Sequence, residues 1–267
     1  MPAIQPARLK KQTGELADNF NEPAIFIRKL FHFFEYYSER TQRPGQSGEP
    51  PALIDAFYVR HPVLRQVVHE LTPLVETYPL EAVELCDVLW QQPYLEFKIL
   101  AANLLGKIPE AHFDHVIERV TTRVIDEKDD QVINVLLTDG LSSVREVKPA
   151  IVLDLAKKWF SDNEIKHQRL GLQTIIPLIR DQNYDLLPVI FQLIQPYALR
   201  VPGELQHYTL ESLKALARLS PRETSYFLQN SLLHPDNVDT AWIIRRCIDD
   251  FPADIKSELK VLSRQKS

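Results

Sequence analysis

The chain has 267 residues, 45% of them hydrophobic, with seven glycines, nineteen prolines and a formal net charge of −5. That length supports one large core or an elongated repeat array, while so few glycines argue against many hairpin turns or Gly-rich phosphate loops. The net charge removes any global electrostatic case for nucleic acid, and no stretch approaches the roughly 20 apolar residues that span a bilayer.

Taken in chain order, the pattern predicts helices at 4–18, 22–41, 62–77, 79–91, 94–107, 110–125, 129–144, 148–160, 164–181, 184–197, 203–219, 221–233, 236–250 and 253–263. The N-terminus, Met1 to Gly14, carries Arg8, Lys10 and Lys11 without an apolar run, so it is not a secretion signal. Phe26, Ile27, Leu30, Phe31, Phe33 and Phe34 give the second helix an apolar face. Thr41 to Pro51, rich in Pro and Gly, is predicted to be an exposed linker. Later helices repeat apolar residues at i, i+3, i+4 and i+7, as in Val152, Leu155, Ala156 and Trp159 and in Leu172, Ile175, Ile176 and Ile179. No alternating strand pattern is evident.

Breaks at Pro109, Pro149, Asn183, Pro221 and Pro252 recur at intervals of 40, 34, 38 and 31 residues. Two helices per such interval is the spacing of HEAT or armadillo repeats, whose units bury their apolar faces only by stacking. The expected fold is all-α: a right-handed α-solenoid of HEAT-like antiparallel helix pairs, read as one domain over 1–267. Residues 1–61 would form an N-terminal helical cap and loop, and 62–267 about five to six helix-pair repeats.

Charge is unevenly spread. Residues 63–147 carry 7 basic and 15 acidic side chains, and residues 148–267 carry 16 and 14, so an anion-binding surface is expected in the C-terminal half. Cys86 and Cys247 each lie in an apolar helical run and read as buried free thiols, which implies a reducing cytoplasm. His112, His115 and Glu118 share a helix face but lack a fourth convergent ligand, so no metal is expected there. The run Asp126 to Asp130 lacks the spaced ligands and central glycine of a calcium loop and reads as a solvated turn. No Walker motif, Rossmann fingerprint or nucleophile elbow is present, and no cofactor is implied.

Two segments carry a more specific signal. Leu89-Trp90-Gln91-Gln92-Pro93-Tyr94-Leu95-Glu96 opens one repeat, and Trp159-Phe160-Ser161-Asp162-Asn163 precedes Gln168-Arg169 on a later one. In this order and on these elements, over about residues 85–220, the chain resembles the HEAT-type bacterial DNA alkylation-repair glycosylases (the AlkD-like family). The resemblance implies a protein that cups duplex DNA in a concave face and excises positively charged alkylated bases without metal or cofactor. It implies a carboxylate that stabilises the developing charge on the sugar, aromatic side chains near the lesion, and an arginine on the backbone. Asp139 falls where the family's aspartate is expected, without the tryptophan that precedes it there. Glu211 and Lys214 stand near a family tryptophan and arginine.

Candidate DNA-binding residues are Lys157, Lys158, Trp159, Lys166, Arg169 and Lys214, with Asp139 the candidate catalytic carboxylate. Each has a plainer reading. Trp90 and Trp159 continue apolar stripes and suit the core. Arg169 begins such a stripe and suits an ion pair with Asp162 or Asp139. Asp139 suits a turn, Asp162 and Asn163 suit a helix cap, and a lysine cluster is by default a solvated face. The reading adopted is a monomeric protein that binds duplex DNA, with N-glycosidic bond hydrolysis as its activity if it is an enzyme. A protein partner held in the groove is the alternative, favoured by the acidic middle of the chain.

Overall fold

A computed structural model describes residues 5–38 and 53–265; the linker expected over Thr41 to Pro51 lies outside them. Every regular element among the described residues is helical, and the one β-bridge joins Asp55 to Tyr94. The all-α expectation therefore holds. The described residues group into two compact units, one ending at Val147 and one beginning at Lys148.

In the first unit the α-helices are α1 (Pro6–Ala17), α2 (Pro23–Tyr37), α3 (His61–Thr77), α4 (Pro79–Trp90), α5 (Leu95–Leu105), α6 (Phe113–Asp126), α7 (Asp130–Thr138) and α8 (Ser142–Val147). Alternate helices pack together, α1 on α3, α3 on α5 and α5 on α7, with α2 on α4 alongside. Phe26, Leu30, Phe34 and Phe97 are fully buried, which fixes the N-terminal helices to this stack. Phe57 rings tilt against Phe34, Tyr94 and Phe97, extending the aromatic core into the irregular segment before α3.

The second unit contains α9 (Pro149–Phe160), α10 (Ile165–Arg180), α11 (Leu187–Leu199), α12 (Gln206–Leu219), α13 (Pro221–Leu233), α14 (Thr240–Cys247) and α15 (Ala253–Gln265). Here α10, α12 and α14 pack in succession, as do α11, α13 and α15, giving two layers. From Leu170 to Ile179 every residue of α10 is buried, so that helix forms the centre of the unit.

Proline sets several helix starts. Pro6, Pro23, Pro79, Pro149 and Pro221 each begin a helix, where the missing N–H costs nothing. Pro73, Pro177 and Pro196 lie inside helices instead, each at the expense of one backbone hydrogen bond. The predicted helix over 129–144 is broken in two at Asp139–Leu141. A Cβ on Gly140 would sit 2.5 Å from the Leu136 carbonyl oxygen, and Ser142 N–H donates back to the Asp139 carbonyl at 3.1 Å.

Candidate functional site

Asp139 caps the C-terminal end of α7. Its side chain is exposed, yet surrounding protein displaces enough water to push its carboxyl above the usual range; Arg145 and Lys107 oppose that shift. Its backbone is held from two sides. The Gly106 Cα approaches so closely that an added Cβ would lie 1.8 Å from the Asp139 carbonyl oxygen. Arg145 donates to the Thr138 carbonyl at 2.6 Å, satisfying one of the carbonyls that end α7. The result is a turn that presents one carboxylate whose proton affinity is raised. The first unit holds a single tryptophan, Trp90, which is not a sequence neighbour of Asp139.

Trp90 is half-buried rather than fully in the core, and cations cover it. The Lys98 ammonium and the Arg123 guanidinium each lie 4.8 Å from its ring centroid. Arg123 is 7% exposed and shares Asp87 with Arg119, at 2.5 and 2.7 Å. Burial lowers the Arg123 pKa, against the pull of Asp87. Among the described residues its Nη1 has no hydrogen-bond acceptor. These residues line an open cavity of about 770 Å³. Lys98 pairs with Glu127 at 2.6 Å, and Glu127 also accepts from the Lys128 and Asp129 N–H groups, which holds its carboxyl below the usual range despite burial.

Glu127 and Asp129 correct the reading of 126–130 as a solvated turn. Both are buried, because both are acceptors for backbone N–H groups. Asp129 caps α7 through Gln131 and Val132 and takes the Leu53 N–H at 2.7 Å. Glu96, singled out above only as a motif position, is 3% exposed and accepts from Phe57 N–H (3.0 Å) and Val59 N–H (3.2 Å). In sequence its only signal was an acidic residue inside an apolar run.

In the second unit, Lys157 and Lys158 stand in the last turn of α9, and Lys166 and Arg169 in the opening turns of α10. The structure thus gathers these four around one helix–helix connection. Lys158 is exposed, Lys166 and Arg169 are half-buried, and Lys157 pairs with Asp154 at 2.8 Å. Trp159 is 6% exposed, so its ring is a packing element beneath that connection. Asp162 accepts from Glu164 N–H and lies 2.8 Å from His167 Nδ1, contacts that lower its pKa. Lys214 is on α12, which packs against α10, and its charge reaches Cys247.

Cys86 and Cys247 are buried free thiols, as the sequence suggested, and burial pushes both up to about 12. The His112 and His115 rings stack at 6.2 Å, and among the described residues no His, Cys, Asp and Glu side chains gather as a metal site. Among the described residues no helix is long and apolar enough to cross a membrane.

Residues 55–245, well over half of the chain, match a family model described as a DNA alkylation repair enzyme. No curated protein and no solved structure matches the chain.

Proposed function

The chain belongs to the DNA alkylation repair enzyme family, and from that footing we propose that it binds duplex DNA and acts on alkylated bases in it. The observation that carries the proposal is the family match, which runs through both candidate segments. The basic cluster of the second unit supports it. Lys157, Lys158, Lys166 and Arg169 surround the N-terminus of α10, where free backbone N–H groups and the helix dipole add to the attraction for phosphate. Lys214 extends the cluster onto α12, and Trp159 is the buried strut that fixes the α9 lysines in place.

Base excision is the activity this proposal assigns to Asp139. As the N-glycosidic bond breaks, the base leaves with the bonding electrons and the sugar acquires oxocarbenium character. A fixed carboxylate stabilises that charge, water then bonds to the anomeric carbon, and a proton is released. No metal or cofactor enters this scheme.

The test is duplex binding by fluorescence anisotropy, with and without an alkylated base, across a salt series. Phosphate contact predicts affinity that falls steeply with salt, and each Lys→Ala change at 158 or 166 should lower the slope of log K against log salt by about 1. Absence of binding at low salt would sink the proposal. Asp139→Asn should abolish base release in a single-turnover assay while leaving the dissociation constant unchanged; retained release removes Asp139 from the chemistry.

A further inference from the structure

Lys107 stands on backbone that is pinned to the turn carrying Asp139. Gly106 before it accepts the Ser142 hydroxyl at 3.0 Å and the Ser143 hydroxyl, and its Cα lies so near the Asp139 carbonyl that a Cβ has no room. The Lys107 N–H donates to the Leu104 carbonyl at 2.9 Å, and Ile108 after it is fully buried. Three consecutive residues thus hold the root of the Lys107 side chain beside Asp139.

The two cations near Asp139 are differently committed. Arg145 donates to the Thr138 carbonyl at 2.6 Å and to the Leu137 carbonyl at 3.4 Å, so its guanidinium closes the end of α7. The Lys107 side chain is exposed and, among the described residues, has no hydrogen bond or ion pair. Residues 63–147 hold 15 acidic side chains against 7 basic ones, so its lack of a partner does not come from a shortage of acids. Burial raises the Asp139 carboxyl, and the Lys107 charge opposes that rise from beyond ion-pairing distance.

A carboxylate that works at a nucleotide sugar is brought among phosphates, because the sugar carries one on each side. The two anions repel there, in a place where protein has displaced part of the screening water. A free cation anchored beside the carboxylate removes that conflict by taking the phosphate itself. We propose that Lys107 binds the phosphate next to the nucleotide whose base is released, while Arg145 supports the turn. The proposal rests on Asp139 being the carboxylate at the sugar.

Lys107→Gln keeps the stem and removes the charge, and at this exposed position the melting temperature should not change. Anisotropy with the alkylated duplex should show affinity lowered about fivefold and the slope of log K against log salt lowered by about 1, whereas Lys107→Arg keeps both near the parent. Position is read by neutralising single phosphates as methylphosphonates. At one of the two phosphates flanking the lesion, the methylphosphonate should weaken the parent about fivefold and Lys107→Gln not at all; several nucleotides away it should weaken both proteins alike. Equal weakening of both proteins at each flanking phosphate overturns the proposal. So does an unchanged salt slope in Lys107→Gln; if the acid limb of its release profile moves to higher pH at the same time, Lys107 acts only by keeping Asp139 ionised. Retained release in Asp139→Asn, by contrast, removes the excision reading, so the two failures are read in different variants.

Discussion

Replacing Glu96 by Gln tests whether a single buried carboxylate anchors the segment that enters the helical stack. Glu96 begins α5, and its two oxygens each accept one backbone N–H, from Phe57 and from Val59. Leu95 N–H donates to the Asp55 carbonyl at 2.8 Å beside them, so residues 55–59 are laced to α5 by three bonds. Gln keeps the shape but offers one oxygen and one NH2. One of the two N–H groups then faces a donor and loses its acceptor. An unsatisfied buried donor of this kind costs about 1–3 kcal/mol, and a bond to a charged acceptor sits in the upper part of that range, so about 2–3 kcal/mol is expected. Glu96→Ala loses both bonds and should cost about 4 kcal/mol, a large share of the roughly 5–15 kcal/mol that holds a domain folded. Urea unfolding followed by circular dichroism measures the total. Hydrogen exchange of the Phe57 and Val59 amides measures the local effect, and is the sharper readout in a chain of two compact units. A Glu96→Gln variant within 0.5 kcal/mol of the parent, with both amides still protected, would refute the reasoning.

Gly106→Ala should destabilise the first unit by about 1–3 kcal/mol, because the new Cβ meets backbone at 1.8 Å rather than a side chain that can swing away; thermal melting checks it. Asp87→Ala removes the carboxylate shared by Arg119 and Arg123 and leaves Arg123 charged and buried. Its expected cost is about 2 kcal/mol, below that of a fully buried pair because Asp87 is partly exposed, and urea unfolding reads it. Asp139 has a pKa raised in the folded state, so its ionisation opposes folding. Stability linked to this group is present below the ordinary aspartate pKa and declines as pH rises through the raised value. Asp139→Asn should therefore melt at or slightly above the parent at neutral pH, by no more than about 0.5 kcal/mol at this exposed position, with the difference vanishing in acid. A melting series from pH 3 to 8 for both proteins decides it.

Most of the fold was legible because helices announce themselves through apolar spacing and proline. Pro79, Pro149 and Pro221 began helices where the pattern placed them, and the stripes through Val152 and Leu172 are buried as read. What escaped was polar and non-local. Glu96, Glu127 and Asp129 look like surface acids in sequence, since their partners are backbone N–H groups up to 76 residues away. Trp90 read as core because the pattern shows an indole on an apolar helix; only the fold brings Lys98 and Arg123 over its ring.

The site at Asp139 shows why position along a helix was a weaker guide than backbone geometry. Periodicity ran a helix through 129–144, while Gly140 beside Asp139 suited a turn, and it is the turn that the backbone adopts. Gly140 breaks that helix, and Gly106 lets α5 close on the broken turn: Ser142 and Ser143 hydroxyls both donate to the Gly106 carbonyl, with Ser142 at 3.0 Å. Gly106 after α5, Gly140 after α7 and two serines of α8 thus fix the turn that carries Asp139, while Arg145 and Lys107 supply the charges that temper its raised pKa. If that carboxylate does the chemistry assigned to it, changes at Gly106 should impair base release through misplacement as much as through lost stability. Measuring release by Gly106→Ala well below its melting temperature separates the two: loss of release in the folded variant ties activity to the turn, and full release detaches the chemistry from it.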